Sequence, residues 1–161
     1  APICKEAIQE AGFEFPGHTE YLAHLSNEPE ALMIMASDNL KVAVFTSHIP
    51  LKDVAGEIKK DKILDKIKKF SFSLERDFGI RKPKIAVLGL NPHAGEHGKI
   101  GDEELNEINP AINEARNQKI LAFGPYAADG FFGSGGYKEF DGVLAMYHDQ
   151  GLIAFKSTTF G

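Results

Sequence analysis

The sequence predicts an α/β domain built as a three-layer sandwich, a mixed sheet flanked by helices. Three observations carry that expectation. Short apolar runs of strand length each stop at a polar turn, amphipathic segments of helical period stand between them, and Gly, Pro, Asn and Asp punctuate the joins. The length, 161 residues, suits a single domain spanning 1–161, and 43% apolar content is enough for a core.

Charge narrows the partners. The net charge is −5, with Lys and Arg spread among Asp and Glu, so nucleic acid and anionic membrane surfaces are not expected. Apolar runs reach about six to eight residues, far short of a membrane span, and no charged-then-apolar leader opens the chain. A soluble, cytoplasmic protein is expected. The single cysteine, Cys4, forbids an internal disulfide and a cysteine-based zinc cage, and its neighbours Ile3 and Lys5 offer no base, so it reads as structural. Any metal must therefore be held by His, Asp or Glu.

Taken in order, Lys5 to Ala11 forms a short helix closed by Gly12, and Phe13 to Thr19 is a turn set by Pro16 and Gly17. His18 and Thr19 stand on that loop before a helical segment, Glu20 to Leu25, either as an anion site or as an N-cap and its neighbour. Ala31 to Ala36 and Leu40 to Thr46 form a hairpin across Ser37, Asp38 and Asn39. After His48 and Pro50 a long helix places Ile63, Ile67, Phe70, Leu74 and Phe78 on one face, with Asp61 as N-cap and Gly79 as stop. Its lysines, from Lys59 and Lys60 through Lys62 and Lys66 to Lys68 and Lys69, read as the solvated face.

The run Ile85 to Leu90 is a buried strand ending in Asn91, Pro92, His93, and a glycine-punctuated loop follows to Gly101. Asp102 to Asn117 is a second helix, with Leu105, Ile108, Ile112 and Ala115 inward and a disturbance expected before Pro110. Ile120 to Phe123 is a short strand leading into an irregular stretch, Gly124 to Gly136, whose one acid is Asp129. The last apolar run ends at His148, and Ala154 to Lys156 runs on toward Gly161.

Three strands thus each deliver a histidine, His48, His93 and His148, to the carboxyl edge of the sheet, where α/β proteins bind ligands. Imidazoles without thiolates suit a catalytic divalent metal that keeps open positions, zinc first, with cobalt, nickel or manganese as alternatives. Asp149, Glu96 and Asp53 stand close in sequence as acceptors for the opposite ring nitrogens. His24 and His97 end no strand and read as exposed.

The segments GHTEYLAHL, TSHIPLKDV, GLNPHAGEHGKIGDEE and VLAMYHDQGLIAFK resemble the 4-hydroxythreonine-4-phosphate dehydrogenase family of vitamin B6 synthesis, and the histidine spacing, 45 then 55 residues, fits it. The resemblance implies one subdomain of an isopropylmalate dehydrogenase-like fold. It also implies NAD-dependent oxidation of 4-phosphohydroxy-L-threonine, with loss of CO₂ to give 3-amino-2-oxopropyl phosphate.

In that reading His48, His93 and His148 are metal ligands in a site shared across a homodimer. His18 and Thr19 touch substrate, Lys156 sits beside its phosphate, Asp129 lies near the substrate, and Asp129 and Lys156 are the catalytic candidates. NAD and a divalent metal, zinc ahead of cobalt, magnesium or manganese, are the cofactors to expect. The chain resembles only the middle subdomain, with most of the cofactor site outside it, so turnover by this chain alone is not expected. Two other readings stay open: a related dehydrogenase of sugar-acid phosphates or dihydrodiols, and a non-catalytic, metal-bridged dimerisation module.

Overall fold

The computed structural model describes Tyr21, His24, Leu25 and residues 31–160. The chain divides into two units, Ala1–Met33 and Ile34–Gly161. In the first, Tyr21, His24 and Leu25 are helical and exposed. Cys4, the Lys5–Ala11 helix and the turn carrying His18 and Thr19 lie outside the described residues.

The sheet has five strands, β1 (Met33–Ala36), β2 (Lys41–Thr46), β3 (Lys84–Leu88), β4 (Leu121–Tyr126) and β5 (Gly142–Tyr147), in the order β1-β2-β5-β3-β4. β5 is central and runs parallel to β2 and β3, and β3 runs parallel to β4. The chain therefore crosses over between these strands, through α1 (Leu51–Glu57), α2 (Lys60–Arg76), α3 (Asn109–Asn117) and α4 (Ala128–Gly133); α5 (His148–Thr159) follows β5. Parallel strands covered on both sides need continuous apolar runs rather than alternation. That is what these are: Val42–Phe45, Ile85–Leu88 and Val143–Met146 are at most 7% exposed.

Side-chain direction settles the layers. A Cβ on Gly142 would meet the Phe70 ring of α2 at 2.5 Å, whereas Gly151 of α5 lies against Val42, Val44 and Ala145. Positions 142 and 145 differ by an odd number of residues along β5, so they point to opposite faces. Helix α2 thus covers one face and α5 the other, which is the three-layer arrangement expected. Among the described residues no helix is long and apolar enough to cross a membrane.

Several local expectations need correction. Asp61 does not cap α2; Glu107 accepts the Lys60 N–H at 2.7 Å instead, so a carboxylate distant in sequence satisfies a free donor of the first turn. Lys66 is buried rather than solvated, as a long apolar stem allows. Leu105 is exposed, because Glu104–Ile108 forms a π turn whose extra residue rotates the stripe, and Glu104 is buried in its stead. The disturbance falls where Pro110 puts it: the proline lacks an N–H, and the regular helix begins only at Asn109. The stretch after Phe123 is more regular than its glycines suggest, since β4 runs to Tyr126 and α4 follows. Finally, β5 stops at Tyr147 and residues 148–159 are a helix, so Lys156 stands in a last helical turn. The stop at Gly79 is as expected, with φ +69° and the Ile80 N–H donated to the Leu74 carbonyl at 3.0 Å.

Gly142 makes the packing testable. Gly142→Ala must displace a fully buried ring and is expected to lower the urea unfolding free energy by about 1–3 kcal/mol. Gly56→Ala in α1, where a Cβ meets nothing within 4 Å, is expected to be neutral or stabilising by up to about 1 kcal/mol.

Candidate functional site

The carboxyl ends of β2, β5 and β3 lie side by side, and each is followed by one of the three histidines. The β2–β5 ladder ends at the pair Thr46↔Tyr147, so His48, just beyond β2, and His148, the first residue of α5, become neighbours. Their ring centroids are 6.0 Å apart. Both line a cleft of about 320 Å³ together with Thr46, Leu51, Val54, Tyr147 and Asp149. His148 Nδ1 lies 2.7 Å from Asp149 Oδ1. A carboxylate only accepts, so Nδ1 carries the hydrogen and Nε2 of the neutral ring keeps its lone pair. This is how a metal-ligating imidazole is commonly oriented, and the expected pairing of Asp149 with His148 is present. The donor set of the pair, two imidazoles with one already oriented through its far nitrogen, fits a divalent metal.

The edge is held by side chains where the ladders stop. The β3–β5 register ends at Val87↔Leu144. Beyond it the Gln150 amide takes over, accepting the Met146 N–H at 2.7 Å and donating to the Gly89 carbonyl at 2.8 Å. On the other flank the Thr46 hydroxyl donates to the Met146 carbonyl at 2.8 Å. One residue of β5 is thereby tied to both neighbouring strand ends.

His93 is presented differently. Residues 93–98 all have positive φ, from 42° at Glu96 to 87° at Gly98, forming a left-handed turn inside the Pro92–Gly98 segment. Four of these residues, His93, Ala94, Glu96 and His97, are not glycine. At roughly 1–2 kcal/mol each, the conformation needs strong support from its surroundings. Beside the turn lies the Glu104 carboxylate, 2% exposed. Its Oε1 accepts the N–H groups of Leu90 and Asn91, both at 2.7 Å, and its Oε2 accepts Asn91 Nδ2 at 2.9 Å. Glu103 Oε2 accepts from the same amide at 2.7 Å.

The remaining expected residues are dispersed. Among the described residues no group of three or more His, Cys, Asp or Glu is placed to hold a metal, so within one chain His93 does not complete a cluster with His48 and His148. Asp129 is exposed in the first turn of α4, and Asp53 is exposed in α1. Glu96 lies 4.0 Å from Lys99 in the left-handed turn. Lys156 is exposed on α5, eight residues after His148 and so about 12 Å along the axis. His18 and Thr19 lie outside the described residues.

Sequence reasoning passed over Glu104 and Gln150. For Glu104 a signal existed: it stands four residues before Ile108, on the line of Ile112 and Ala115. Gln150 offered none, because its role depends on where a neighbouring ladder ends.

The whole chain, residues 1–161, matches the family described as "Pyridoxal phosphate biosynthetic protein PdxA". The chain belongs to the PdxA family. It is 52% identical over 158 residues to a 4-hydroxythreonine-4-phosphate dehydrogenase of Bacteroides thetaiotaomicron, covering 98% of this chain and 43% of the relative. A second, from a Sulfurihydrogenibium species, is 48% identical and covers 99% of this chain and 49% of the relative. The crystal structure of the Klebsiella pneumoniae 4-hydroxythreonine-4-phosphate dehydrogenase superposes with a TM-score of 0.88 at 40% identity, over 99% of this chain and 48% of that one. A terephthalate 1,2-cis-dihydrodiol dehydrogenase of Burkholderia xenovorans has a TM-score of 0.81 at 25% identity, covering 97% of this chain and 49% of its own. The chain thus spans about half the length of the curated relatives it matches.

The Asn91 bracket carries a pH dependence. Its own backbone N–H, and then the Asn91 amide, hold the Glu103 carboxyl below its ordinary value of 4.5, against a smaller opposing effect of burial. A carboxylate depressed in the folded state stabilises the fold above its ordinary pKa, and that contribution is lost as the pH falls through the lower folded value. The denaturation midpoint is therefore expected to drop on acidification below about pH 4.5 and to drop less in Glu103→Gln. Identical acid limbs in the two proteins would remove Glu103 from the bracket.

Proposed function

We propose that this chain is the metal-binding, dimer-forming segment of an NAD-dependent dehydrogenase. The enzyme oxidises the 3-hydroxyl of 4-phosphohydroxy-L-threonine, and the product loses CO₂ to give 3-amino-2-oxopropyl phosphate in pyridoxal phosphate synthesis. One observation carries the reading: in a chain of this family, His48 and His148 stand 6.0 Å apart in a cleft at the carboxyl edge of parallel strands.

His48 and His148 would hold a divalent metal, zinc first, with Asp149 fixing the ring of His148. His93, outside that pair in a single chain, would complete the set from a second copy, as a site shared by a homodimer requires. A metal there supplies Lewis acidity toward a substrate hydroxyl and NAD supplies the hydride acceptor. The chain has no G-x-G-x-x-G turn after a strand, so the nicotinamide is assigned to flanking segments and no step is routed through residues here. Lys156 would face the substrate phosphate as a point charge, His18 and Thr19 would contact the substrate, and Asp129 would lie near the substrate. Leu51 and Val54 add apolar surface to the lining of the cleft. A phosphate partner in Lys156 favours this substrate class over the dihydrodiols named for the Burkholderia relative.

NADH absorbance with 4-phosphohydroxythreonine, NAD and zinc tests the reading on this chain and on one extended at both ends. Hydride transfer needs the nicotinamide held about 3–3.5 Å from the carbon. The extended chain is expected to turn over and the segment alone to be silent. Turnover by the segment would relocate the cofactor site, and silence from the extended chain would point to another substrate.

The shared site makes a separate prediction. Sedimentation at micromolar protein is expected to give a dimer that chelator weakens, and His148→Ala is expected to lose most bound metal. A monomer in both conditions would remove the bridged site.

A further inference from the structure

The geometry points to Glu104 as a positioning residue for His93: its buried carboxylate is the template on which the left-handed turn is wound, and it thereby fixes where the third imidazole is presented. This rests on the proposed three-histidine site.

The first support is energetic. A left-handed run that includes His93, Ala94, Glu96 and His97 does not persist on its own, since each non-glycine residue there is disfavoured. At its two ends the turn is closed by backbone bonds, Ala94 N–H to the Asn91 carbonyl at 3.1 Å, and Lys99 and Ile100 N–H to carbonyls of Glu96 and Gly95 at 3.3 and 3.1 Å. The shorter bonds, at 2.7 Å, are those from Leu90 and Asn91 to Glu104. Charge-assisted bonds of this kind are roughly twice as strong as neutral ones.

The second support is steric and independent of the first. A Cβ on Gly95 would lie 2.6 Å from Glu104 Oε2, and one on Gly89 would lie 3.0 Å from Oε1. Backbone on both sides of His93 therefore closes onto the two carboxylate oxygens, and only glycine permits that approach. The third is the π turn at Glu104–Ile108, which brings Glu104 rather than Leu105 onto the buried stripe. Such insertions are frequent at functional sites. His93 makes no part of this network; it is carried by it.

The test is a cobalt(II) titration of the full-length enzyme, read by visible absorption, with His93→Ala, Glu104→Gln, Gly95→Ala and the double variant Glu104→Gln/His93→Ala. Gln keeps the size and one acceptor, but its amide nitrogen opposes Asn91 Nδ2. Gly95→Ala strains the same turn from the other side and carries the test if Glu104→Gln does not fold. Glu104→Gln and Gly95→Ala are each expected to weaken cobalt binding about 10–100-fold and to alter its spectrum. In the His93→Ala background Glu104→Gln is expected to change affinity by less than about twofold, because its effect passes through His93.

Equal weakening in both backgrounds would show a general effect on the fold and overturn the proposal. Wild-type affinity in both Glu104→Gln and Gly95→Ala, with His93→Ala impaired, would overturn the proposal and leave the three-histidine site standing. Wild-type affinity in His93→Ala would overturn that site and the proposal with it.

Discussion

A sheet covered on both faces leaves no water to satisfy its backbone where the strands stop pairing, and here side chains take water's place. Met146 is the focal point. Its carbonyl accepts from Thr46 and its N–H is received by Gln150, which reaches on to the Gly89 carbonyl. Without these bonds the ends of β2, β5 and β3 would splay, and each unpaired buried group would cost about 1–3 kcal/mol. The spacing of His48 and His148 is a by-product of that satisfaction, because both residues leave the sheet within two positions of the stitched ends.

The third histidine obeys a different rule. His48 and His148 are placed by sheet register, a property of many residues at once, whereas His93 depends on one buried carboxylate and two glycines that admit it. The edge thus places its histidines in two ways, one distributed over ladder bonds and one, as proposed, concentrated in Glu104. Substitutions should be tolerated very differently in the two.

What was legible in the sequence follows from range. The strands at 42–45, 85–88 and 143–146 announce themselves as unbroken apolar runs because both faces are covered, and the histidines that end them could be read by position alone. Helix α2 was legible through its period, but not Lys66, whose long apolar stem allows its burial. Helix α5 was not legible. Gly151 interrupts its pattern, and that glycine is there because Val42, Val44 and Ala145 come within about 3 Å of where its Cβ would be, the two valines over a hundred positions away in the chain. The cap from Glu107 was likewise hidden, since it joins residues 47 positions apart. The handedness of the turn at His93 was hidden because four of its six residues carry side chains that normally avoid that region.

Gln150 stands two residues after His148 and grips the backbone at Gly89, beyond the end of β3. Helix α5 therefore cannot tilt or slide without dragging the end of β3 along with it. The histidine edge behaves mechanically as one body, while Lys156, in the last turn of the same helix, lies at the far end of the lever. Such a division leaves the far end of the helix open to substitution without retuning the edge, a physical route by which one scaffold can be kept at 25% identity.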